Sequence, residues 1–178
     1  RLVVPGWEGN MWVKWIRRLE FGDAPYMARE ETSKYTDLMT SGKARMFTWV
    51  MDAKSVVTSP CPEKPMMAKG QNLLKGLAWS GRGKITRVDV SLDGGVNWKK
   101  AELHGPVLSK SLTRFTIPFE WNGEEMKVQS RAMDETGYVQ PTIQALQKDR
   151  GVNLIYHNNS IATWLVKSNG EVENVRLG

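Results

Sequence analysis

Apolar and polar residues alternate over 84–92 in a way that predicts a strand with one buried face. Ile85, Val88, Val90 and Leu92 are apolar, while Lys84, Arg87, Asp89 and Ser91 are polar, with a single slip at Thr86. Asp93-Gly94-Gly95 then turns the chain, because glycine reaches positive φ without a Cβ penalty and Asp tolerates it. The pattern predicts a hairpin that returns through Val96-Asn97-Trp98 toward Ala101 and Leu103. Further short strands are expected at 56–58, 73–79, 115–119, 126–132 and 161–166, each bounded by turn residues. Phe115, Ile117 and Phe119 alternate with Thr116 and Pro118, so one side of that strand suits either packing inside a sandwich, the favoured reading, or a dimer surface. This spacing fits an antiparallel β-sandwich of the immunoglobulin-like kind, in a chain that is mainly β.

The flanks read differently. Residues 1–20 suggest strand-like pieces around Pro5-Gly6, with Val13-Lys14-Trp15-Ile16 as an extended apolar run. Residues 23–42 are rich in Asp, Pro, Glu, Ser and Gly and read as an exposed connection with a helical turn near 29–34. The domain boundary is placed there, giving residues 1–42 as a remnant plus connection and 43–178 as the sandwich. Gly81-Arg82-Gly83 reads as hairpin punctuation rather than a phosphate loop, since no helix follows it. Pro141 bars a central strand from continuing, so the repeating core is expected to close near it and 151–178 to lie outside it.

At 178 residues the chain exceeds one average domain, and one domain plus a piece fits best. Arg1 leads straight into Leu2-Val3-Val4, which reads as a fragment. No apolar run approaches the roughly 18 residues of a membrane span. The charge of +6 and pI of 9.5 are spread singly among acids, so a solvated surface is favoured over a nucleic-acid face. The lone Cys61, in Pro60-Cys61-Pro62, lacks a partner for a disulfide or the spacing of a metal site and reads as a loop thiol. His104 and His157 have no ligand-type neighbours, and Glu30-Glu31 and Glu124-Glu125 read as solvated pairs. From its residues alone the sandwich shows no active site.

The stretch 76–98, with Ala78-Trp79-Ser80-Gly81, Val88-Asp89-Val90-Ser91 and Asp93-Gly94-Gly95 before Trp98, resembles the dimerisation domain of the sulfite oxidase family of molybdenum enzymes. Arg131-Ala132 with Asp134, the exit at Gly137-Tyr138-Val139-Gln140-Pro141, and Asn158-Asn159 before Trp164 continue the likeness. Val4-Pro5-Gly6, Gly9 and Val13-Lys14-Trp15 resemble the closing segment of the family's α+β molybdopterin domain. Within the family, Pro5-Gly6-Trp7-Glu8-Gly9-Asn10-Met11, the run from Arg29 through Asp37, and Tyr156-His157-Asn158-Asn159 resemble the molybdenum subunits of bacterial sulfane dehydrogenases.

The resemblance implies a parent enzyme that oxidises sulfane sulfur held on a carrier protein and passes electrons to a cytochrome c subunit in the periplasm. It implies a molybdenum-molybdopterin cofactor bound mainly by residues before Arg1, with none expected on the fragment, which alone would be inactive. The sandwich would serve dimerisation and brace the catalytic domain, without nucleic acid or membrane. Sulfite oxidases typically carry Ala-Arg where Asn10 and Met11 stand, and that arginine helps hold the sulfite anion; a thioether does not grip an oxyanion and better suits a sulfur chain. By this analogy Asn10, Met11, Trp12 and Lys14 are substrate-side residues, with simple packing the alternative for Met11. A true sulfite dehydrogenase, a nitrate reductase of the same family, and a non-catalytic immunoglobulin-like binding module stay open.

Overall fold

Strands form where the alternation predicts them in the computed structural model, which describes residues 1–66, 68–154 and 156–177. In chain order these are β1 (Asp37–Leu38), β2 (Ala44–Arg45), β3 (Lys54–Ser59), β4 (Gly70–Trp79), β5 (Ile85–Ser91), β6 (Lys99–Lys100), β7 (Glu102–His104), β8 (Thr113–Trp121), β9 (Met126–Asp134), β10 (Thr163–Val166) and β11 (Val172–Val175). Helix α1 (Arg29–Lys34) and helix α2 (Ile143–Arg150) interrupt them. One antiparallel sheet runs β11-β10-β9-β5-β6, a second runs β3-β4-β8-β7, and β1-β2 is a separate ribbon. The expected immunoglobulin-like sandwich is therefore present. No helix among the described residues is long and apolar enough to cross a membrane.

The core lies between the two larger sheets. Leu74, Ala78, Phe115 and Phe119 from one meet Val88, Val90, Val128, Ala132 and Val166 from the other. Burying apolar area of this kind is the main term that holds two sheets together. Ile117 packs partly against the same cluster, so the alternating residues of β8 serve the interior of the sandwich. The slip at Thr86 has a structural cause. Ile85 pairs with Asp134 and Arg87 with Met133, which leaves Thr86 as the extra residue of a bulge, its hydroxyl donating to the carbonyls of Met133 and Asp134 at 3.2 Å.

Four expectations need correction. The Asp93 turn does return the chain antiparallel to β5, but only through Lys99 and Lys100; the strand holding Leu103 crosses to the other sheet and pairs with β8. Gly81-Arg82-Gly83 likewise joins β4 and β5, which belong to different sheets, so it is a crossover and not a hairpin. Pro141 does not end the domain. Thr142 caps α2, its hydroxyl accepting from the Ala145 N–H at 3.2 Å, and β10 and β11 then complete the larger sheet, with Val166 and Val172 in the core. Residues 1–20 form no strand: a bridge from Trp7 to Val50 and a tight turn at Gly9–Met11 are their regular features. The turn at 29–34 is present as α1. Gly178, the expected end of the sandwich, lies outside the described residues.

Candidate functional site

Backbone contact fastens the amino-terminal segment to the sandwich. Gly6 adopts φ 86° and sits directly on Gly81, so close that a Cβ on Gly81 would fall 1.9 Å from the Gly6 carbonyl oxygen. The Met51 N–H donates to that carbonyl at 3.0 Å, and the Gly81 N–H donates to the Met51 carbonyl at 2.7 Å. Trp7 stacks on Trp49 with ring centroids 5.5 Å apart, and the Glu8 N–H donates to the Trp49 carbonyl at 2.6 Å. Only glycine permits such an approach of two backbones.

Three of the four sequence-predicted residues lie together just beyond this anchor. The Gly9–Met11 turn closes with the Met11 N–H donating to the Glu8 carbonyl at 3.0 Å and the Trp12 N–H to the Gly9 carbonyl at 3.1 Å. Met11 and Trp12 are half-buried, and the Trp12 indole N–H donates back to the Trp7 carbonyl at 3.1 Å. Asn10 stands apart chemically: its Oδ1 and Nδ2 are both buried and neither has a hydrogen-bond partner among the described residues. Lys14 is not brought in; it is exposed, next to Trp15, which is 89% exposed.

Behind the turn lies a cluster of charges that sequence reading missed. Asp52, buried just before β3, receives Arg82 Nε at 2.9 Å, Arg150 Nη2 at 3.0 Å and His157 Nε2 at 3.1 Å. Arg150, at the end of α2, also donates to Asp37 at 3.0 Å. His157 Nδ1 lies 2.6 Å from Glu8 Oε1, which carries the network to the residue preceding the Gly9–Met11 turn. Burial opposes ionisation of Asp52, but hydrogen bonds from His157 and Arg82 outweigh it and hold the carboxyl below the usual range. Burial also works against the His157 imidazolium, and the bonds to Asp52 and Glu8 reverse the outcome, raising its pKa. Pairs separated by 149 and 105 positions leave no periodic trace in a sequence.

Two openings flank this cluster. A small one of about 140 Å³ is lined by Glu8, Asp52, Lys54, Trp79, Tyr156 and His157. A larger cleft of about 540 Å³ is bordered by Lys54, Trp98, Gln129, Arg131, Gln140 and Asn158. Lys54 stands between them, its Nζ donating to the Asn158 carbonyl at 2.5 Å, and burial lowers its pKa.

The remaining candidates take structural places. Cys61 is buried in a turn bridged to Lys64, and His104 Nε2 is 2.7 Å from the Thr116 hydroxyl. Glu30 pairs with Lys34 on exposed α1, and Glu124 and Glu125 are exposed in the turn before β9. Among the described residues no three His, Cys, Asp or Glu converge to hold a metal ion.

Comparison with known proteins gives three findings. Residues 45–164 match the family model described as the Mo-co oxidoreductase dimerisation domain. Sulfite oxidase from Gallus gallus is 33% identical over 160 residues, covering 79% of this chain and 33% of that protein, and nitrate reductase [NADH] 2 from Nicotiana tabacum is 28% identical over 167 residues, covering 79% and 18%. The crystal structure of the sulfane dehydrogenase SoxCD from Paracoccus pantotrophus superposes with a TM-score of 0.93 at 63% identity, over 99% of this chain and 46% of that one. The chain thus spans about a third of the sulfite oxidase and less than half of the solved chain it matches.

Proposed function

The chain belongs to the Mo-co oxidoreductase dimerisation domain family, and from that premise we propose that it is the carboxy-terminal part of a molybdenum-dependent sulfane dehydrogenase. What carries this reading is the identity of 63% with a sulfane dehydrogenase along nearly the whole chain, against 33% with a sulfite oxidase. Asn10 and Met11 agree with it. In place of a guanidinium that would clamp a small oxyanion, the turn offers a polarisable thioether and an amide with free hydrogen-bonding capacity.

On this reading residues 1–42 close the catalytic domain and 43–178 form the sandwich that braces it and joins two subunits. The partners are a protein that carries the sulfane sulfur and a cytochrome c subunit that accepts electrons, and the compartment is the periplasm. The described residues of this chain do not fit the molybdenum group, because Cys61 is buried in a bridged turn and among them no ligand set converges. The metal and its oxidation step are therefore assigned to the part of the parent protein outside these residues. What these residues contribute is position: the Gly6–Gly81 contact and the Glu8–His157 bond set where Asn10 and Met11 stand relative to the rigid sandwich.

Assay of the purified parent enzyme tests the reading. Turnover of carrier-bound sulfane sulfur should exceed that of free sulfite, with no nitrate reduction, and light scattering should show two copies. Efficient oxidation of free sulfite or reduction of nitrate overturns the substrate assignment, and a monomeric parent overturns the bracing dimer.

A further inference from the structure

Both ring nitrogens of His157 face carboxylate oxygens, Glu8 on one side and Asp52 on the other. An ionised carboxylate only accepts, so a neutral imidazole with its single N–H would satisfy one contact and set a lone pair against the other oxygen. The charge balance leads to the same place. Glu8, Asp37 and Asp52 bring three negative charges to the cluster, Arg82 and Arg150 bring two positive ones, and the third positive charge is the imidazolium of His157.

We propose that protonated His157 is a clamp that holds the Gly9–Met11 turn against the sandwich, which makes Glu8 and His157 positioning residues for the substrate-side segment. The substrate consequence rests on the assignment of Asn10 and Met11 given above. Glu8 is well placed to transmit the effect, since its own carbonyl accepts from the Met11 N–H and its backbone N–H is tied to Trp49. When the ring loses its proton the ion-paired groups carry one more negative charge than positive. The single remaining N–H can serve only one of the two carboxylates, which weakens the hold on Glu8, whose side chain is only 14% exposed.

The groups facing the ring come from four places. Glu8 belongs to the amino-terminal segment and Asp52 to the approach to β3, with Lys54 lining the same small cavity. Arg150 reaches in from α2 behind Asp52, and Tyr156 is the neighbour along the chain. The His157 pKa is raised above its usual 6.5, so the clamp is fully engaged below that value. It releases as pH rises through the higher value of the folded state.

Amide hydrogen exchange on the parent holoenzyme, followed by mass spectrometry from about pH 6 to about pH 9 and corrected for intrinsic rates, is the test. Protection of residues 7–12 should fall at least about tenfold along a one-proton curve while that of β5 and β9 stays constant. Glu8→Gln, which leaves the bonds to Asp52 in place, should move the midpoint down by ~1 pH unit. His157→Gln should give low protection at all pH values; if that variant does not fold, the shift in Glu8→Gln carries the test. KM for the sulfur substrate should rise along the same curve with kcat unchanged. Protection that is independent of pH, or a midpoint unmoved by Glu8→Gln, overturns the clamp. Titrating protection with a constant KM keeps the clamp and overturns the substrate-side placement of Asn10 and Met11.

Discussion

Gly6 and Gly81 meet backbone to backbone, each closing off the space in which the other would carry a side chain. A methyl group on Gly81 would fall 1.9 Å from the Gly6 carbonyl oxygen and 2.8 Å from the Met51 carbonyl oxygen, and neither is the movable end of a side chain. Gly81→Ala is therefore expected to separate the amino-terminal segment from the β4–β5 crossover and to destabilise the domain by about 2–4 kcal/mol. Denaturant unfolding gives the energy, and the rate of tryptic cleavage after Lys14 and Arg17 gives the detachment. Wild-type stability together with wild-type cleavage would show that the contact holds nothing.

The two sheets are also joined by one polar side chain. Gln140 Oε1 receives the Ser55 N–H at 2.8 Å from β3 and the Ala132 N–H at 3.1 Å from β9, while its Nε2 donates to the Ser160 carbonyl at 3.1 Å. Gln140 is 2% exposed, so water cannot replace these partners. Gln140→Leu leaves two buried backbone donors without an acceptor and should cost about 3 kcal/mol. A denaturation midpoint shifted by less than a third of that energy would mean that Gln140 does not hold the two sheets together.

Much of this fold could be read along the chain because its determinants are local. The strand character of β5, the Asp93-Gly94-Gly95 turn and α1 each depend on neighbours within a few residues. The expected single buried face of β5 does not hold, because Asp89 and Ser91 on its polar side are buried as well, Asp89 beneath Arg131 from β9. Which sheet a strand joins does not: Lys100 and Glu102 are two positions apart yet belong to different sheets, with buried Ala101 between them. Pro141 looked like a terminus because a proline cannot continue a central strand, whereas here it precedes a capped helix. Val13, Trp15 and Ile16 have the composition of a strand but join no sheet: the Val13 carbonyl accepts a single bond from the Leu2 N–H at 2.9 Å, no ladder extends from it, and all three residues are exposed. Asn10, Met11 and Trp12 stand out only through a resemblance, and nothing beside His157 in the sequence marks it, since only the fold brings Glu8 and Asp52 to its two nitrogens.

Asp93 makes the turn sensitive to acid. Its carboxylate accepts from the Asn97 N–H at 2.9 Å, the Ser91 hydroxyl at 2.7 Å and the Val96 N–H at 3.1 Å, and these bonds, the Asn97 backbone first, lower its pKa from 3.8 to about 2. A depressed folded-state value means that the stabilisation is complete above 3.8 and disappears as pH falls toward 2. Asp93→Asn should be less stable than wild type at neutral pH, with the gap narrowing across that window. Carbon-detected NMR of the carboxyl gives the midpoint directly, and a normal value near 3.8 would contradict the hydrogen-bonded turn.

The proposed substrate-side place of Met11 is tested by comparing two substrates. It occupies the closing position of the Gly9–Met11 turn, half-buried, beside an Asn10 whose amide has no partner among the described residues. Met11→Arg places a fixed positive charge with paired donors at that point, which favours a small free oxyanion and penalises a sulfur chain presented by a protein. In the parent enzyme the ratio of kcat/KM for free sulfite to kcat/KM for carrier-bound sulfane sulfur should rise at least about tenfold, equivalent to about 1.4 kcal/mol of transition-state discrimination. Trp12→Phe, which removes the indole bond to the Trp7 carbonyl and part of the half-buried ring, should alter both substrates together through the shape of the turn. If Met11→Arg also changes both in parallel, or changes neither, Met11 is a packing residue and selection between the two sulfur substrates is made elsewhere in the enzyme.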